Sequence, residues 1–345
     1  MQRVRLGKTN LVVSRVGFGG IPLQRLTEPE AIHLVRRCLD LGITFFDTAN
    51  AYTTSEELIG KAIAGRRETV VLATKSNARD KATTRAHLEL SLRRLQTSYL
   101  DLWQLHNVST PEALAKVLGP GGAMETAEEA RREGLIRYVG LSSHSLDLAL
   151  QAVATGLFET VQFPFNFVTD EAAQRLLPLT RQQDVGFIAM KPFAGGMLDN
   201  ASLALKWLLQ FDDILPDPGI QAVAEVEEIA AIVAGSWALT AADTEEIARI
   251  RATTGAHFCH RCEYCQPCPQ HVGVSTVLSL QSFWRRFPPE RFFAGFVAEA
   301  AEGARRCAEC GDCEGRCPYH LPIREMLREN LAFYDDAARK RFGRS

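Results

Sequence analysis

The sequence predicts an α/β protein: a (β/α)8 TIM barrel over residues 1–252, followed by a small, mostly helical domain over residues 253–345. Short apolar segments alternate with helical segments eight times, which indicates a parallel sheet with both faces covered. Eight such units in about 250 residues are typical of a closed barrel. Eight of the nine cysteines then fall between Cys259 and Cys317. The second domain is therefore expected to differ in kind from the first.

The barrel follows an N-terminal hairpin, since MQRVRLG alternates polar and apolar residues and Lys8-Thr9-Asn10 is typical of a turn. The predicted strands are Val13–Gly19, Ile43–Thr48, Thr69–Lys75, Tyr99–His106, Ile136–Ser143, Thr160–Phe165, Val185–Pro192 and Ile214–Ile220. After a helix from Thr27 to Gly42, the predicted helices are Ser55–Ala64, Thr84–Leu95, Pro111–Arg132, Ser145–Ala154, Asp170–Gln182, Ala201–Gln210 and Ala224–Val233.

A doubly wound open sheet is the competing fold. It normally carries a G-x-G-x-x-G turn after its first strand, and GFGGIPLQ has the glycines without that spacing. Thr54 with Glu57, and Asp243 with Glu246, are predicted to cap helices. Beyond His257 the chain has little apolar core, and such a small domain is normally held together by metal or disulfide.

The charge and hydropathy of the chain exclude two classes of partner. The formal net charge is -2, so no basic surface indicates nucleic acid. No apolar segment is long enough to cross a bilayer, and MQRVRLGKTN lacks the apolar core of a secretion signal. We therefore expect a cytoplasmic protein without nucleic-acid or membrane partners. Cys38 stands at helical spacing from Val35 and Leu39 and is predicted to be a core residue.

Polar residues end three successive apolar strands. Asp47 ends the second strand, Lys75 the third and His106 the fourth, and Tyr52 follows in the loop after Asp47. Active sites of barrels form at this end of the strands. An ammonium lowers the pKa of a neighbouring phenol, a carboxylate can pair with that ammonium, and an imidazole can orient a carbonyl. The set could donate a proton to a carbonyl oxygen while a hydride reaches its carbon.

Residues 1 to about 235 resemble the aldo-keto reductase family. The matching segments are DTANAY from Asp47, SEELIG from Ser55, the strand end TK, QLH, GLSSHS from Gly140, VQFPFN from Val161 and MKPFAGGML from Met190. The resemblance implies an NAD(P)H-dependent oxidoreductase of the alcohol dehydrogenase type. It implies that Tyr52 is the general acid, that Lys75 and Asp47 tune it, and that His106 positions the carbonyl.

The resemblance also implies a nicotinamide cofactor extended across the barrel mouth. The implied cofactor contacts are Ser142, Gln162, Asn166, Lys191, Pro192, Phe193, Gly195, Gly196, Gly219, Glu225 and Glu228. Phe165 either stacks on the nicotinamide or belongs to the core. Gln221, Ala222 and Ile229 replace residues that hold the 2′-phosphate in many members, so the cofactor is NADPH or NADH.

The remaining cysteines form two runs. The first is Cys259-x2-Cys262-x2-Cys265-x2-Cys268-Pro, and the second is Cys307-x2-Cys310-x2-Cys313-x3-Cys317-Pro. The second run has the spacing of bacterial two-cluster ferredoxins, whose last cysteine binds the other cluster. We expect two [4Fe-4S] clusters, one on Cys259, Cys262, Cys265 and Cys317 and the other on Cys307, Cys310, Cys313 and Cys268. A helix is predicted at Val274–Phe283, as in helical dicluster domains.

Two other interpretations of the cysteines are less favoured. Structural zinc usually shows two pairs separated by a finger, and disulfides need an oxidising compartment. A subset of aldo-keto reductases carries a C-terminal extension of the iron–sulfur kind. The clusters would transfer electrons, sense oxidants or stabilise the fold.

The leading functional hypothesis is an NAD(P)H-dependent reductase of aldehydes or ketones, or a dehydrogenase of the corresponding alcohols, with a redox protein as a further partner. The alternatives are a non-catalytic nicotinamide-binding redox sensor and an electron-transfer subunit that acts on a protein partner. The intact set of Asp47, Tyr52, Lys75 and His106 favours the enzyme.

Overall fold

The computed structural model describes residues 1–343. The chain divides into two compact units, Met1–Asp243 and a second unit that begins at Thr244. This division falls within the helix Ala241–Thr253, whereas the sequence predicts a boundary after residue 252. Within residues 1–343, no helix has the length and hydropathy that a bilayer crossing requires.

The first unit contains a hairpin and an eight-stranded parallel sheet. The hairpin pairs β1 (Arg3–Arg5) with β2 (Val12–Ser14), and Asn10 turns the chain in the left-handed region at φ 54°. The sheet strands are β3 (Phe18–Gly19), β4 (Phe45–Asp47), β5 (Val71–Ser76), β6 (Leu100–Leu105), β7 (Ile136–Ser142), β8 (Thr160–Pro164), β9 (Gly186–Met190) and β10 (Ile214–Asp217). Their order in the sheet follows their order in the chain. The predicted barrel is confirmed.

The first and last barrel strands meet and nearly close the sheet. Gly17 N donates to Pro216 O at 2.8 Å, and Gly19 N donates to Pro218 O at 2.7 Å. A Cβ atom on Gly19 would stand 2.8 Å from Pro218 O. Only glycine allows the two strands to approach this closely.

The prediction of one strand over Val13–Gly19 is wrong. The segment divides between the hairpin strand β2 and the barrel strand β3. Ser14 Oγ donates to Val16 O at 2.7 Å, and the buried Arg15 guanidinium donates to the carbonyls of Phe211 and Ile214. These side-chain bonds hold a bend between the two strands.

Helices follow the barrel strands. They are α1 (Glu28–Asp40), α2 (Ser55–Ala62), α3 (Lys81–Arg94), α4 (Pro111–Leu118), α5 (Ala123–Arg132), α6 (Leu146–Ala154), α7 (Ala172–Gln182), α8 (Ala201–Leu209) and α9 (Val223–Ala234). The prediction of one helix over Pro111–Arg132 is wrong, because the chain breaks at Gly119–Gly122. Gly121 has φ +70°, and a Cβ on Gly122 would lie 2.4 Å from Lys116 O.

One predicted cap of the barrel helices is also wrong. Thr54 has αR backbone angles and accepts no capping hydrogen bond, whereas the buried Ser55 donates from Oγ to Gly20 O at 2.8 Å. In contrast, helix α1 has a true capping box. Glu30 Oε2 accepts from Thr27 N at 2.9 Å and from Thr27 Oγ1 at 2.6 Å.

The second unit is helical. Helix α10 (Ala241–Thr253) spans the division between the units and is followed by α11 (Val274–Val277), α12 (Leu280–Arg286), α13 (Pro289–Phe292), α14 (Gly295–Ala304), α15 (Asp312–Arg316) and α16 (Ile323–Phe342). The prediction of one helix over Val274–Phe283 is wrong. Ser279 leaves the helical conformation with φ -102° and ψ 5°, and its Oγ donates to Ser275 O at 2.7 Å.

The predicted Asp243–Glu246 cap of α10 is wrong as well. Asp243 Oδ2 accepts from Thr240 N at 3.0 Å, and Thr240 Oγ1 accepts from Asp243 N at 3.1 Å. Thr240 therefore caps the helix. Glu246 instead pairs with Arg249 at 2.6 Å on the exposed surface.

Apolar side chains fill three regions. Inside the barrel are Phe45, Ala73, Leu102, Ile188 and Leu215, all buried. A larger cluster lies between the sheet and its helices, and Cys38 is buried in it as predicted. The second unit has an apolar core of its own that includes Val277, Leu280, Phe292 and Val297, which is more than the sequence predicts.

Candidate functional site

A layer of polar side chains caps the apolar interior of the barrel. Because successive strand residues point to opposite faces, the second residue after an inward apolar residue also points inward. This alternation places Asp47 above Phe45 and Lys75 above Ala73. The polar layer consists of Asp47, Lys75, Gln104, Gln162 and Asp217, all of them buried.

Asp47 and Lys75 form the centre of this layer. Lys75 Nζ donates to Asp47 Oδ2 and, at 2.7 Å, to Thr48 O. Both side chains are at most 4% exposed. Burial alone lowers the pKa of Lys75, but the charges of Asp47 and Tyr52 and the hydrogen bond to Asp47 outweigh burial and raise it. The ammonium is therefore retained in the barrel interior.

Tyr52 and His106 lie at the accessible edge of this layer. Their rings meet edge to face with centroids 5.9 Å apart, and Lys75 Nζ lies 5.3 Å from the centre of the Tyr52 ring. Both rings are half-buried, whereas Asp47 and Lys75 are fully buried. The structure thus brings all four predicted residues together, with the buried ion pair behind the two half-buried rings.

The sequence analysis missed two members of this layer. Gln104 Nε2 donates to Asp47 Oδ1 at 3.0 Å. Asp217 ends strand β10, and its Oδ2 accepts from Gln162 Nε2 at 3.2 Å. The same strand-end criterion that selects Asp47 would have found Asp217, but the predicted strand ran on to Ile220.

Gln162 and Ser142, two predicted cofactor contacts, lie on neighbouring strands and pair in register. Gln162 Nε2 donates to Asp47 Oδ2 at 3.2 Å as well as to Asp217. Ser142 Oγ accepts from Asn107 N at 2.8 Å, in the loop after His106. Both side chains therefore link the acid–base set to the adjacent strands.

Three further predicted contacts have structural tasks in this molecule. Asn166 Oδ1 accepts from Val168 N and Thr169 N, both at 2.9 Å, and so fixes the loop after β8. Glu225 Oε2 accepts from Gln221 N at 2.8 Å at the start of α9. Gly219 lies in the seam of the barrel, bridged to Gly19.

The loop after β9 contains Lys191, Pro192, Phe193, Gly195 and Gly196, the predicted pyrophosphate contacts. Four of its residues have positive φ, and these are Lys191 (56°), Ala194 (48°), Gly195 (69°) and Gly196 (93°). Repeated left-handed residues turn backbone N–H groups toward a common concavity, which suits anion binding.

Burial places two residues, Phe165 and Ile229, in the apolar core. Phe165 is fully buried against the rings of Phe187, Trp207 and Phe211, with centroids 5.0–5.6 Å apart, so it belongs to the core. Ile229 is buried in the same cluster. Glu228, the last predicted adenosine contact, is exposed on α9.

The cysteines of the second unit line two cavities. One is lined by Cys259, Cys262, Cys265 and Cys317, and the other by Cys268, Cys307, Cys310 and Cys313, with Cys265 also at its wall. These are the two predicted ligand sets. Within residues 1–343, no three His, Cys, Asp or Glu side chains are arranged around a single-ion position. The thiols surround cavities instead.

The chemistry of these thiols fits iron–sulfur clusters. Burial raises the pKa of Cys262 to about 11 and that of Cys265 to about 12, so these groups are protonated without a metal. Iron would supply the positive charge that thiolates require. Apolar residues, among them Val274 and Leu321, complete the wall of the first cavity.

Comparison with known proteins matches both units. Residues 15–206 match the sequence profile of the aldo/keto reductase family, and residues 258–322 match that of the 4Fe-4S dicluster domain. An uncharacterized oxidoreductase, YqkF of Bacillus subtilis (strain 168), is 30% identical over 225 residues, which are 60% of this chain and 71% of that protein. The aldo-keto reductase YhdN of the same organism is 30% identical over 62% of this chain and 68% of its own.

Solved structures agree with the sequence matches. The holo form of aldo-keto reductase AKR11C1 from Bacillus halodurans is similar with a TM-score of 0.63 and 26% identity, over 72% of this chain and 96% of that one. An aldo/keto reductase from Klebsiella pneumoniae in complex with NADP and acetate has a TM-score of 0.62 and 26% identity, over 72% and 95%. The barrel, the polar layer and these matches together show that the chain belongs to the aldo/keto reductase family and carries a C-terminal 4Fe-4S dicluster domain.

Proposed function

We propose that the protein reduces an aldehyde or ketone with NADPH or NADH, or oxidises the corresponding alcohol, and that Tyr52 is its general acid. One observation carries the proposal: a phenol and an imidazole lie side by side over a buried ammonium–carboxylate pair. A bound nicotinamide would supply the hydride. The chain's own residues handle the proton and the orientation of the carbonyl.

Each residue of the set has a distinct task. The ammonium of Lys75 favours the phenolate of Tyr52, so the phenol gives its proton more readily to the carbonyl oxygen. Asp47 holds Lys75 in place, and Gln104 holds the other oxygen of Asp47. His106 donates a hydrogen bond that orients the carbonyl before the proton moves.

Cofactor binding is proposed from the loops around this set. The left-handed loop after β9 would follow the pyrophosphate, and Ser142, Gln162 and Asn166 would lie near the carboxamide. Glu225 and Glu228 would lie near the adenosine, and the neighbouring Gln221 and Ala222 are neutral. Because no cation stands at these four positions, we propose that NADH is used at least as well as NADPH.

Two [4Fe-4S] clusters are proposed for the second unit, each held by three thiolates of one run and one of the other. The barrel reaction transfers two electrons together and needs no iron. A redox protein partner is favoured by one observation, since Cys310 is exposed whereas Cys265 and Cys317 are buried. An accessible cluster would be a point for single-electron exchange.

Oxygen-free assays with aldehydes and ketones test the reductase. NADH and NADPH oxidation should require a carbonyl and should fall by about 10²–10⁴-fold in Tyr52→Phe, the range for loss of a general acid. Tyr99→Phe is the matched control, because that phenol donates to Glu68 on the exposed surface. Tight nucleotide binding without turnover would instead support the non-catalytic sensor.

A further inference from the structure

A second carboxyl group lies beside the catalytic ion pair. Asp217 ends β10, two residues after the inward Leu215, and is 6% exposed. An acidic side chain with no arginine or lysine of its own is unusual in a barrel interior.

A glutamine bridges the two carboxyl groups. Gln162 Nε2 lies 3.2 Å from Asp217 Oδ2 and 3.2 Å from Asp47 Oδ2, so its two N–H groups can serve both. Asp47 Oδ2 also accepts from Lys75. In the described part of the chain, Asp217 Oδ1 is buried and has no hydrogen-bond partner.

The charges of this layer do not balance if every acid is ionised. Two carboxylates would then face a single ammonium, which leaves an uncompensated negative charge in a region closed to water. We propose that Asp217 is a positioning residue that keeps one proton on the Asp47–Asp217 pair at neutral pH, and so sets the charge against which Lys75 and Tyr52 ionise. The pair then carries one negative charge, which Lys75 matches.

The surroundings of Asp217 favour its neutral form. Burial, and then the charge of Asp47, raise the pKa of Asp217 well above its ordinary value of 3.8. A hydrogen bond to Asp47 acts in the same direction, while Lys75 and the bond from Gln162 oppose it. The charged groups that act on Asp217 are thus Asp47 on β4 and Lys75 on β5, with Tyr52 acting through Lys75.

The atoms that surround Asp217 Oδ1 also favour a neutral Asp217 side chain. A Cβ atom on Gly17 would lie 3.0 Å from Asp217 Oδ1 and 2.9 Å from the Phe45 ring. That oxygen therefore faces a bare backbone and an aromatic ring, neither of which compensates a negative charge.

The effect on turnover rests on the proposed function. When Asp217 loses its proton at high pH, the added negative charge makes both Lys75 and Tyr52 hold their protons more strongly. The general acid thereby stays protonated to a higher pH than it would beside a neutral group. In Asp217→Asn the amide is neutral at every pH, so Tyr52 should lose its proton at a lower pH than in the wild-type protein.

Infrared spectroscopy of the whole protein tests the proton without any turnover. We expect the carbonyl band of a protonated carboxylic acid near neutral pH, which shifts when aspartate is labelled with ¹³C and is absent in Asp217→Asn. The control is Asp213→Asn, four positions earlier, where Arg181 holds the pKa of the carboxyl below its ordinary value. Absence of a ¹³C-sensitive acid band in the wild-type protein would overturn the proposal, even if the variant failed to fold.

The pH profile of carbonyl reduction then tests the positioning role. We expect the alkaline limb of kcat/KM to move down by about one pH unit in Asp217→Asn and not to move in Asp213→Asn. Suppose that the infrared band shows a protonated Asp217 but that the alkaline limb of kcat/KM does not move in Asp217→Asn. That result would overturn the proposal that Asp217 tunes the ionisation of Tyr52. If the wild-type protein had no turnover, the proposed function would fail, while the infrared result would still decide whether Asp217 holds a proton.

Discussion

The barrel and the cysteine-rich unit bury reactive groups in opposite ways. In the barrel, Lys75 is buried together with its counter-charge Asp47, and Gln104 and Gln162 donate to the Asp47 carboxylate. In the second unit, burial raises the pKa of the half-buried Cys262 thiol to about 11 and that of the buried Cys265 thiol to about 12. The Lys75 ammonium finds its counter-charge within the chain, whereas the thiols become thiolates only with a metal. The comparison teaches that the barrel site is organised by the fold and the thiol sites by their cofactor.

Iron removal should give the largest difference between the two units. The segments around the cysteines, 258–273 and 307–311, contain no helix or strand, so they lack the repeated backbone hydrogen bonds of regular structure and should depend more on thiol coordination than the barrel does. We expect limited proteolysis of chelator-treated protein to cut in these segments while residues 1–240 stay intact. If the cysteine segments resisted the protease as well as residues 1–240 do, both with and without iron, the proposed difference between the two units would be contradicted.

Loss of the buried ammonium should be the largest single-residue effect on stability. Lys75→Met leaves Asp47 buried without its counter-charge, which costs about 3–5 kcal/mol of the free energy of unfolding. Lys61→Met is the matched control, because Lys61 pairs with Glu28 at 2.6 Å on the exposed surface. Such a surface pair contributes at most about 1 kcal/mol. Urea unfolding of both variants would show equal losses if the buried pair had no special role.

Asp217 should make the stability of the barrel depend on pH. Its folded pKa is raised, so its contribution is fully present below 3.8 and is lost as pH rises through the folded pKa. The slope is at most about 1.4 kcal/mol per pH unit. We expect Asp217→Asn to gain stability relative to the wild-type protein as the pH rises above 3.8 toward the folded pKa of Asp217, as measured by urea unfolding at a series of pH values. If the difference in the free energy of unfolding between Asp217→Asn and the wild-type protein did not change with pH, Asp217 would be ionised at every pH measured.

The helix caps of the barrel should give the smallest effects. Thr27→Ala removes the capping box of α1 and should cost about 1 kcal/mol. Thr54→Ala, at a position with no capping hydrogen bond, should cost less. The two variants can be compared by thermal unfolding, and a larger loss in Thr54→Ala would show that the cap geometry does not decide the cost.

The alternation of apolar and polar residues made much of the barrel predictable. Each predicted strand is an apolar run, and the polar residue that ends it predicts the candidate active face, a criterion that selects Asp47, Lys75 and His106. The cysteine spacing likewise predicted which thiols share a cavity. Both signals are local, because they depend only on periodicity and short spacings.

Other features depend on contacts between distant segments, and no local pattern shows them. The Gln162 bridge joins residues 47 and 217, which only closure of the barrel brings together. Ser55 replaces Thr54 in holding the start of α2 because Gly20 O lies within reach. The break at Gly119–Gly122 was visible in the glycines, but helical periodicity on both sides concealed it.

The central claim is that the barrel transfers hydride by itself, with the thiol sites as a separate centre. We would follow reduction of a carbonyl by NADH deuterated at the transferring position, without oxygen, while recording the cluster absorbance in the same sample. The account predicts deuterium on the carbinol carbon of the product and an unchanged cluster band. Bleaching of the band with no deuterium in the product would contradict it and would show that electrons leave the nucleotide through the iron.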